Sequence, residues 1–316
     1  MITTRRAALI GLGGVLAASA CSRNPPAVGI RTRDVVAAGA PAALLIWAVA
    51  RERLAGWPRK PPPPALAMLP ALAADLPELG AMARGGRPAN LEGIAALKPT
   101  LVIDYGDTDP EYRTLAQGMQ TRLSVDWHLI DGALTRIPDA IREAARLLDA
   151  GRAAGNLADE AEAVLDRWSR APPGPGFYYA RGANGLETGF RGALATEVLE
   201  GAGWTNVAEG SRDIGSVTRE QVAAWDPEVI VTLSPAFAEA AHADPVWRAR
   251  RGGGRRRLLL LPDRPFGWID RPPSINRLLG CAWLADPEGS ILAAASLSRR
   301  MYGMAPSEIP RPSWIR

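Results

Sequence analysis

The sequence is poor in cysteine and histidine, and each shortage excludes a class of protein. Only Cys21 and Cys281 occur among 316 residues, so a fold held by several disulfides is excluded and the chain must rely on a buried core. His128 and His242 stand alone in the sequence, which argues against a zinc centre built on histidine. The formal net charge is only +4, and a balance this close to neutral does not indicate a nucleic-acid-binding protein.

Common enzyme signatures are also missing. The sequence contains no G-x-S-x-G nucleophile elbow, no G-x-x-x-x-G-K-[ST] phosphate loop and no H-E-x-x-H zinc motif. A pair of carboxylates acting as acid and base leaves no such signature, so an exported enzyme with that pair in a cleft stands as the alternative to a binding protein. We expect no catalytic residue, no bound metal and no cofactor.

Residues 1–20 have the pattern of an export signal. Two arginines precede an apolar run from Ala7 to Ala20. The run is shorter than the ~20 residues that span a bilayer as a helix, so we expect a signal rather than a membrane anchor. The start Thr4-Arg5-Arg6 is similar to twin-arginine signals, which export folded proteins.

The end of this signal admits two kinds of processing. Ala18-Ser19-Ala20-Cys21 resembles a lipobox, with Ala18 where leucine is usual, and this interpretation makes Cys21 the lipidated first residue of a membrane-anchored protein. Ordinary cleavage after the A-x-A site Ala18-Ser19-Ala20 is the alternative. Residues 21–30 are expected to form a tether.

One sequence motif occurs twice in the chain. NLEGIAALKPTLVID (90–104) and TREQVAAWDPEVIVT (218–232) align without a gap. Each copy predicts a short amphipathic helix that stops at a proline and leads into an apolar strand. A strand that is apolar at successive positions is buried on both faces and suits a parallel sheet covered by helices. The repeat therefore predicts an α/β fold with two similar lobes.

The chain between the two halves predicts a single helix. In NLADEAEAVLDRWSR the apolar residues recur at helical spacing, and PPGPG follows. The expected boundaries are 31–152 for the N-terminal lobe, 153–171 for a linking helix and 172–316 for the C-terminal lobe. A cleft between two such lobes is a preferred place for a ligand.

The stretch RPFGWIDRPPSINRLLG (264–280) follows the apolar run LLLLP, so it leaves the carboxyl end of a strand, where ligands lie in open α/β sheets. Trp268 and Arg271 are the recognition candidates, because both residue types are frequent anchors. In the alternative, Asp270 and Arg271 pair with each other or cap the following helix, and Trp268 is a packed lid.

Four phrases carry a resemblance to a known family. They are ANLEGIAALKPTLVIDYG, YYARGANGLETGFRGALATEVLEGAGWTNVAEG, REQVAAWDPEVIVT and PFGWIDRPPSINRLLG. With them the chain resembles the class III periplasmic binding proteins of ABC importers, which capture ferric siderophores, haem and cobalamin. The second and fourth phrases are similar to the iron-complex branch. The resemblance implies two Rossmann-like lobes joined by a long rigid helix that permits only small closing motions.

The resemblance also implies a function and a set of partners. We expect a periplasmic, monomeric solute-binding protein that carries an iron–siderophore or similar metal chelate to a permease dimer with its ATPase subunits. Molybdate or tungstate is the alternative cargo. From strand ends and cleft-side loops the candidate ligand-binding residues are Trp57, Arg87, Tyr105, Tyr179, Arg181, Glu187, Trp268 and Arg271. Glu187 has a second interpretation, as the ion-pair partner of Arg181.

Glu92 and Glu220 occupy the same position in the two copies of the repeat. The resemblance implies that they dock onto arginines of the permease, and two matching carboxylates suit a two-fold partner. Their place in the first turn of a helix is also favoured by the helix dipole, which is the structural interpretation.

The one dense basic cluster is RARRGGGRRR, from Arg248 to Arg257. We interpret it chiefly as a solvated turn between a helix and a strand, with a binding patch as the alternative.

Overall fold

The computed structural model describes residues 32–82, 87–211, 213–251, 253–286 and 291–315. The expected export signal, Cys21 and the tether to residue 30 lie outside the described residues. Among the described residues, no helix combines the length and the apolar content that crossing a bilayer requires.

Three parallel strands of the described chain form the sheet of the first lobe, in the order β1-β2-β3. Val36 of β1 lies opposite Val102 of β2, which in turn lies opposite Trp127 of β3. The strands are β1 Val35–Ala37, β2 Leu101–Gly106 and β3 Trp127–Asp131. The helices of this lobe are α1 Ala40–Ala50, α2 Pro63–Leu66, α3 Leu72–Asp75, α4 Leu91–Ala96, α5 Pro110–Leu123 and α6 Ile137–Leu147.

The second lobe contains a five-stranded sheet and a smaller antiparallel pair. The large sheet has the order β10-β9-β8-β4-β6, and only β10 runs antiparallel to its neighbour. The strands are β4 Gly176–Ala180, β5 Glu187–Gly189, β6 Thr205–Asn206, β7 Ile214–Ser216, β8 Val229–Thr232, β9 Arg257–Leu260 and β10 Ser313–Ile315. The helices are α8 Glu197–Gly201, α9 Arg219–Trp225, α10 Pro235–Ala243, α11 Pro245–Arg248, α12 Arg277–Leu284 and α13 Ile291–Tyr302.

The repeated sequence motif folds as predicted in both lobes, as α4–β2 and α9–β8. Thr218 caps the start of α9 through a reciprocal capping box with Gln221, and Asn90 caps α4. Lys98 and Asp226, which align in the repeat, both take a left-handed backbone with φ of 50° and 46°. The following proline disfavours a helical residue before it, so both copies leave the helix by the same turn.

The linking helix α7 spans Gly151–Trp168, close to the predicted 153–171. One face is buried, namely Ala154, Leu157, Ala158, Ala161, Val164, Leu165 and Trp168. This face packs against α6 of the first lobe and against α12 and α13 of the second. The helix therefore lies between the two lobes and contacts both.

The two sheets share one continuous apolar core. The largest cluster of buried residues runs from Val35 and α1 through α7 to the strands and helices of the second lobe. The last long helix, α13, packs against α1 as well as α7. The chain beyond residue 30 accordingly forms a single compact unit in which the lobes are not separate bodies.

Candidate functional site

Strand ends of both lobes face a common cleft. Near its middle the lobes touch, because Ser274 Oγ donates a hydrogen bond of 2.7 Å to the carbonyl oxygen of Pro41 at the start of α1. Pro41 and Pro273 line a cavity on one side of this contact, and Ala40 and Pro272 line a second cavity on the other. The cleft therefore consists of two chambers separated by the Ser274–Pro41 contact.

The first cavity, which we call the acidic chamber, has a volume of about 680 Å³. Its walls are the turns after β2 and β3 (105–108 and 131–133), the end of α7, and residues 192–194, 197 and 200–201 of the second lobe. Four carboxylates line it: Asp107, Asp131, Glu197 and Glu200. No arginine or lysine is among the described residues of this lining.

The carboxylates of the acidic chamber are held by the protein itself. Glu200 accepts hydrogen bonds from Gly192 N at 3.0 Å and from Thr196 Oγ1 at 2.7 Å. Asp131 accepts one from Ala133 N at 2.9 Å. These contacts fix the side chains and use part of their accepting capacity, because a carboxylate has about four acceptor positions.

Arg277 lies behind the lining of the acidic chamber and is fully buried in α12. Its Nη1 donates to Glu197 Oε2 at 2.7 Å, and its Nη2 donates to the carbonyl oxygen of Gly132, in the first lobe, at 2.5 Å. A buried arginine needs such partners, because a desolvated unpaired charge costs several kcal/mol. Arg277 thus joins the two lobes at the acidic chamber.

Tyr105 brings an unsatisfied group to the same chamber. Its hydroxyl oxygen is buried without a hydrogen-bond partner in the described part of the chain. Burial raises the pKa of Tyr105 to about 12, against the opposing charge of Arg277. The hydroxyl therefore stays protonated at neutral pH.

The second cavity, the basic chamber, has a volume of about 700 Å³ and is lined by residues 40, 43–44, 57–62, 64–65, 263–266 and 271–272. Arg59 and Lys60 come from the first lobe, and Arg264 and Arg271 from the second. Its one acidic residue, Asp263, pairs with Arg264 at 3.4 Å. Among the described residues no carboxylate pairs with Arg59 or Arg271, so the chamber carries an uncompensated positive charge.

The floor of the basic chamber is aromatic and rigid. The Trp57 ring lies 5.1 Å from that of Trp47 and 6.3 Å from that of Phe266, which comes from the second lobe. The Trp57 indole Nε1 donates to Ala73 O at 3.0 Å. Arginines above an apolar floor suit a bulky ligand with anionic groups.

The loop 264–274 between β9 and α12 is anchored by Trp268, whose side chain is fully buried. The Trp268 amide donates to Pro262 O, and its carbonyl accepts from Gly280 N, each at 3.1 Å. A Cβ on Gly280 would lie 2.7 Å from that carbonyl oxygen, so only glycine permits this packing. The loop is therefore built into the second lobe.

Asp270 forms an ion pair and a backbone hydrogen bond that hold this loop. Its carboxylate accepts from Arg181 Nη1 and from the backbone amide of Arg271, the latter at 2.8 Å. Arg181 is also paired with Glu187 at 2.9 Å. Arg271 has a φ of 63°, a left-handed conformation that costs a non-glycine residue of order 1–3 kcal/mol. The loop holds Arg271 in this conformation at the edge of the basic chamber.

Comparisons with known proteins identify the family. A family model described as periplasmic binding protein matches residues 49–262, which is more than half of the chain. This chain belongs to the periplasmic binding protein family. Comparison with curated protein sequences gives no significant match.

Solved structures share the two-lobed fold of this periplasmic binding protein. An ABC transporter solute binding protein from Sulfurospirillum deleyianum is 24% identical with a TM-score of 0.76, over 87% of this chain and 91% of that one. The molybdate-bound MolA of Haemophilus influenzae is 17% identical with a TM-score of 0.64, over 90% and 95%. The haem-binding protein RhuT of Roseiflexus is 22% identical with a TM-score of 0.57, over 80% and 97%.

Three of the predicted ligand residues line the chambers of this binding protein: Tyr105 lines the acidic one, and Trp57 and Arg271 line the basic one. Arg87 lies exposed, 4.0 Å from Glu78. Ligand contact by any of them stays a prediction.

The remaining candidates are not among the residues that line the two chambers. Tyr179 and Trp268 are fully buried. Arg181 and Glu187 form an ion pair, which is the second interpretation given for Glu187. In the alternative interpretation Asp270 pairs with the Arg271 side chain, but in the structure this carboxylate pairs with Arg181 instead. The helix after the loop begins at Arg277 rather than near Ser274.

Sequence reasoning missed several residues of both chambers. Glu197 and Glu200 are three apart on one helix, a spacing that places them on the same face and could have revealed them. Arg277 is the only charge in the apolar stretch INRLLGCAWL, and a lone charge in an apolar helix signals a buried pair. Arg59 and Arg264 carried no local signal, because only the folded chain brings their loops together.

The described residues contain no group of three or more histidine, cysteine, aspartate or glutamate side chains arranged to hold a metal ion. The one described cysteine, Cys281, is buried and unpaired, and burial raises the pKa of its thiol.

Proposed function

We propose that this periplasmic binding protein is the solute-binding component of an ABC importer, and that its cargo is an anionic metal chelate of the iron–siderophore type. The basic chamber carries this proposal. It draws two cations from each lobe, so an anionic ligand bound there favours the closed arrangement of the lobes. A permease that prefers the closed, loaded form then completes transport. We propose no reaction on the cargo and a monomeric carrier.

The size and lining of the chamber favour a chelate. A volume of about 700 Å³ lies in the ordinary range for organic ligands of roughly 300–1,000 Å³. A small oxyanion would leave most of this space, and its aromatic floor, unused. The alternative cargo, molybdate or tungstate, is supported by the arginines and by the likeness to molybdate-bound MolA.

The test is a titration of the processed chain that follows intrinsic tryptophan fluorescence. Ferric siderophores, haem, cobalamin and molybdate are added in separate runs. Trp57, which lines the basic chamber, is expected to report saturable binding of a ferric chelate. A response to molybdate alone would replace the chelate by the oxyanion, and no response to any of the four would remove the cargo proposal.

Docking on the permease is assigned to Glu92 and Glu220. Both are exposed and lie in the first turns of α4 and α9. Changing both to alanine should abolish uptake and leave cargo affinity unchanged. The matched control is Glu52→Ala with Glu239→Ala, which removes one exposed carboxylate from each lobe elsewhere. Persistent uptake in the first variant, or equal loss in the control, would contradict the assignment.

Export and anchoring are proposed from the N-terminal pattern alone. A twin-arginine-like signal brings the chain to the periplasm, and Cys21 is its lipidation site. Mass spectrometry of the processed protein should give a lipidated Cys21 as the first residue. A chain that begins at Cys21 without lipid would show simple cleavage instead.

A further inference from the structure

A third cavity lies at the opposite edge of the second lobe from the cleft. Its volume is about 340 Å³, and Arg248, Arg255, Arg256 and Arg257 line it together with Trp314 and Ile315. Arg257 is the first residue of β9, whereas the cleft loops leave the carboxyl ends of these parallel strands. This arginine pocket is therefore separated from both chambers by the length of the sheet.

Two of these arginines are buried, contrary to the solvated turn expected from the sequence. Arg248 is 7% and Arg256 is 3% exposed. In each of them the Nε atom is buried without a hydrogen-bond partner in the described part of the chain. Buried polar groups are nearly always hydrogen-bonded, so two unsatisfied donors on residues that line one small pocket require an explanation.

The charge of the pocket is not compensated by the residues around it. Arg256 donates to Asp226 Oδ1 at 3.1 Å and to Val246 O at 3.1 Å. Arg248 Nη1 lies 2.6 Å from His242 Nδ1, which must accept because an arginine only donates. Burial and the neighbouring charge of Arg255 lower the pKa of Arg248. Asp226 is thus the one carboxylate paired with the lining arginines among the described residues.

The local fold forces these like charges together. Arg256 N donates to Arg248 O at 2.7 Å, and Ala249 pairs with Arg255 across a tight antiparallel turn. Gly254 closes the turn with a φ of 84°, a conformation that favours glycine. Trp314 on β10 completes one wall, with its ring centroid 4.8 Å from the Arg257 guanidinium carbon. Clustered guanidinium groups beside an aromatic wall suit an oxyanion.

We propose that the arginine pocket binds a phosphoryl group, supplied either by free phosphate or by the headgroup of an anionic phospholipid. The fork of donors on each guanidinium matches phosphate oxygens, and a bound dianion offsets the mutual repulsion of the arginines. This site is independent of the cargo cleft. A phosphoryl group bound there gives the carrier an anion-dependent contact away from the cargo. The proposal does not rest on the carrier function.

The test uses the processed chain with Cys21→Ser, so that a lipid anchor does not contribute. Inorganic phosphate binding is measured by calorimetry in phosphate-free buffer, and vesicle binding by co-sedimentation with phosphatidylglycerol or phosphatidylcholine. The pocket variant is Arg255→Gln with Arg257→Gln, because both side chains are exposed and their loss should not prevent folding. The matched control is Arg251→Gln with Arg299→Gln, which removes the same charge at two exposed arginines that do not line the pocket.

Saturable phosphate binding that falls at least about tenfold in the pocket variant and less than about twofold in the control would support the site with a free anion as ligand. The same pattern with phosphatidylglycerol vesicles, without saturable phosphate binding, would support the headgroup. Equal losses in the two variants would assign the effect to diffuse surface charge and overturn the proposal. Binding to neither phosphate nor phosphatidylglycerol would overturn it as well.

Discussion

The two chambers of the cleft are nearly equal in volume, about 680 and 700 Å³, and opposite in charge. Both are built from loops of both lobes, and the Ser274–Pro41 contact separates them. What distinguishes them is how their charged groups are satisfied. In the acidic chamber Glu197, Glu200 and Asp131 already accept from protein donors. In the basic chamber Arg59 and Arg271 have no carboxylate partner among the described residues. Charge left without an internal partner is the charge available to a ligand.

The largest effect should come from Arg277, the buried cation behind the acidic chamber. Arg277→Met removes the partner of Glu197 and leaves the Gly132 carbonyl unpaired. We expect a loss of about 3–5 kcal/mol in the free energy of unfolding, measured by urea denaturation. Arg122→Met, at an exposed position on α5, is the control and should change stability by less than about 0.5 kcal/mol. A small effect at Arg277 would mean that the acidic chamber does not depend on this cation.

A second prediction concerns Asp104, buried in β2 just before the residues that line the acidic chamber. Burial raises its pKa to about 6, while the Tyr105 amide partly opposes the shift. As the pH rises, Asp104 therefore loses its proton in the unfolded chain before it does so in the folded protein. The free energy of unfolding consequently falls as the pH rises from about 4 to about 6. Asp104→Asn removes this penalty and should stabilise the protein by about 2–3 kcal/mol at pH 7.

The gain from Asp104→Asn should vanish near pH 3.5, because the Asp104 carboxyl is then largely protonated in both the folded and the unfolded protein. Denaturation of both proteins at several pH values measures the difference. A gain that is independent of pH would show that the carboxyl is not desolvated in solution.

The comparison of the chambers is tested by removing charge from each in turn. Arg59→Gln with Arg271→Gln takes from each lobe an arginine without a carboxylate partner in the described part of the chain, and should weaken an anionic chelate at least about tenfold, or about 1.4 kcal/mol. Asp131→Asn with Glu200→Gln should leave that affinity unchanged or raise it slightly. Calorimetric titration measures both. The reverse order of effects would place the cargo in the acidic chamber.

The smallest expected effect is at Tyr105. Its hydroxyl has no partner among the described residues, so Tyr105→Phe should change stability by less than about 0.5 kcal/mol. A cargo that reaches into the acidic chamber and accepts from this hydroxyl would lose about 1 kcal/mol of binding in the variant. Unchanged binding would show that the cargo does not accept a hydrogen bond from this hydroxyl.

Local sequence patterns were sufficient to predict the framework of the fold. The α4–β2 and α9–β8 units follow from amphipathic periodicity, a proline stop and a β-branched run, all of which act over a few residues. The linking helix α7 was predicted from the same kind of signal, to within two residues at its start and three at its end.

The site was predicted less completely, because it is made by contacts between distant segments. Trp268 was placed in the correct loop, yet whether an indole faces solvent or core depends on how α12 packs below it. The pairing of Arg181 with Asp270 joins residues 89 positions apart, and no local pattern announces it. The charge of each chamber likewise depends on which loops of the two lobes meet.

The packing of α13 on α1 has a consequence for how the protein is made. Arg51, which follows α1, donates to the carbonyl oxygen of Arg300 across a separation of 249 residues. The core beside the first sheet is therefore incomplete until almost the whole chain has left the ribosome, and contacts of such high sequence separation form slowly. If the chain uses the proposed twin-arginine signal, its folding is completed before it crosses the membrane, because that route exports folded proteins.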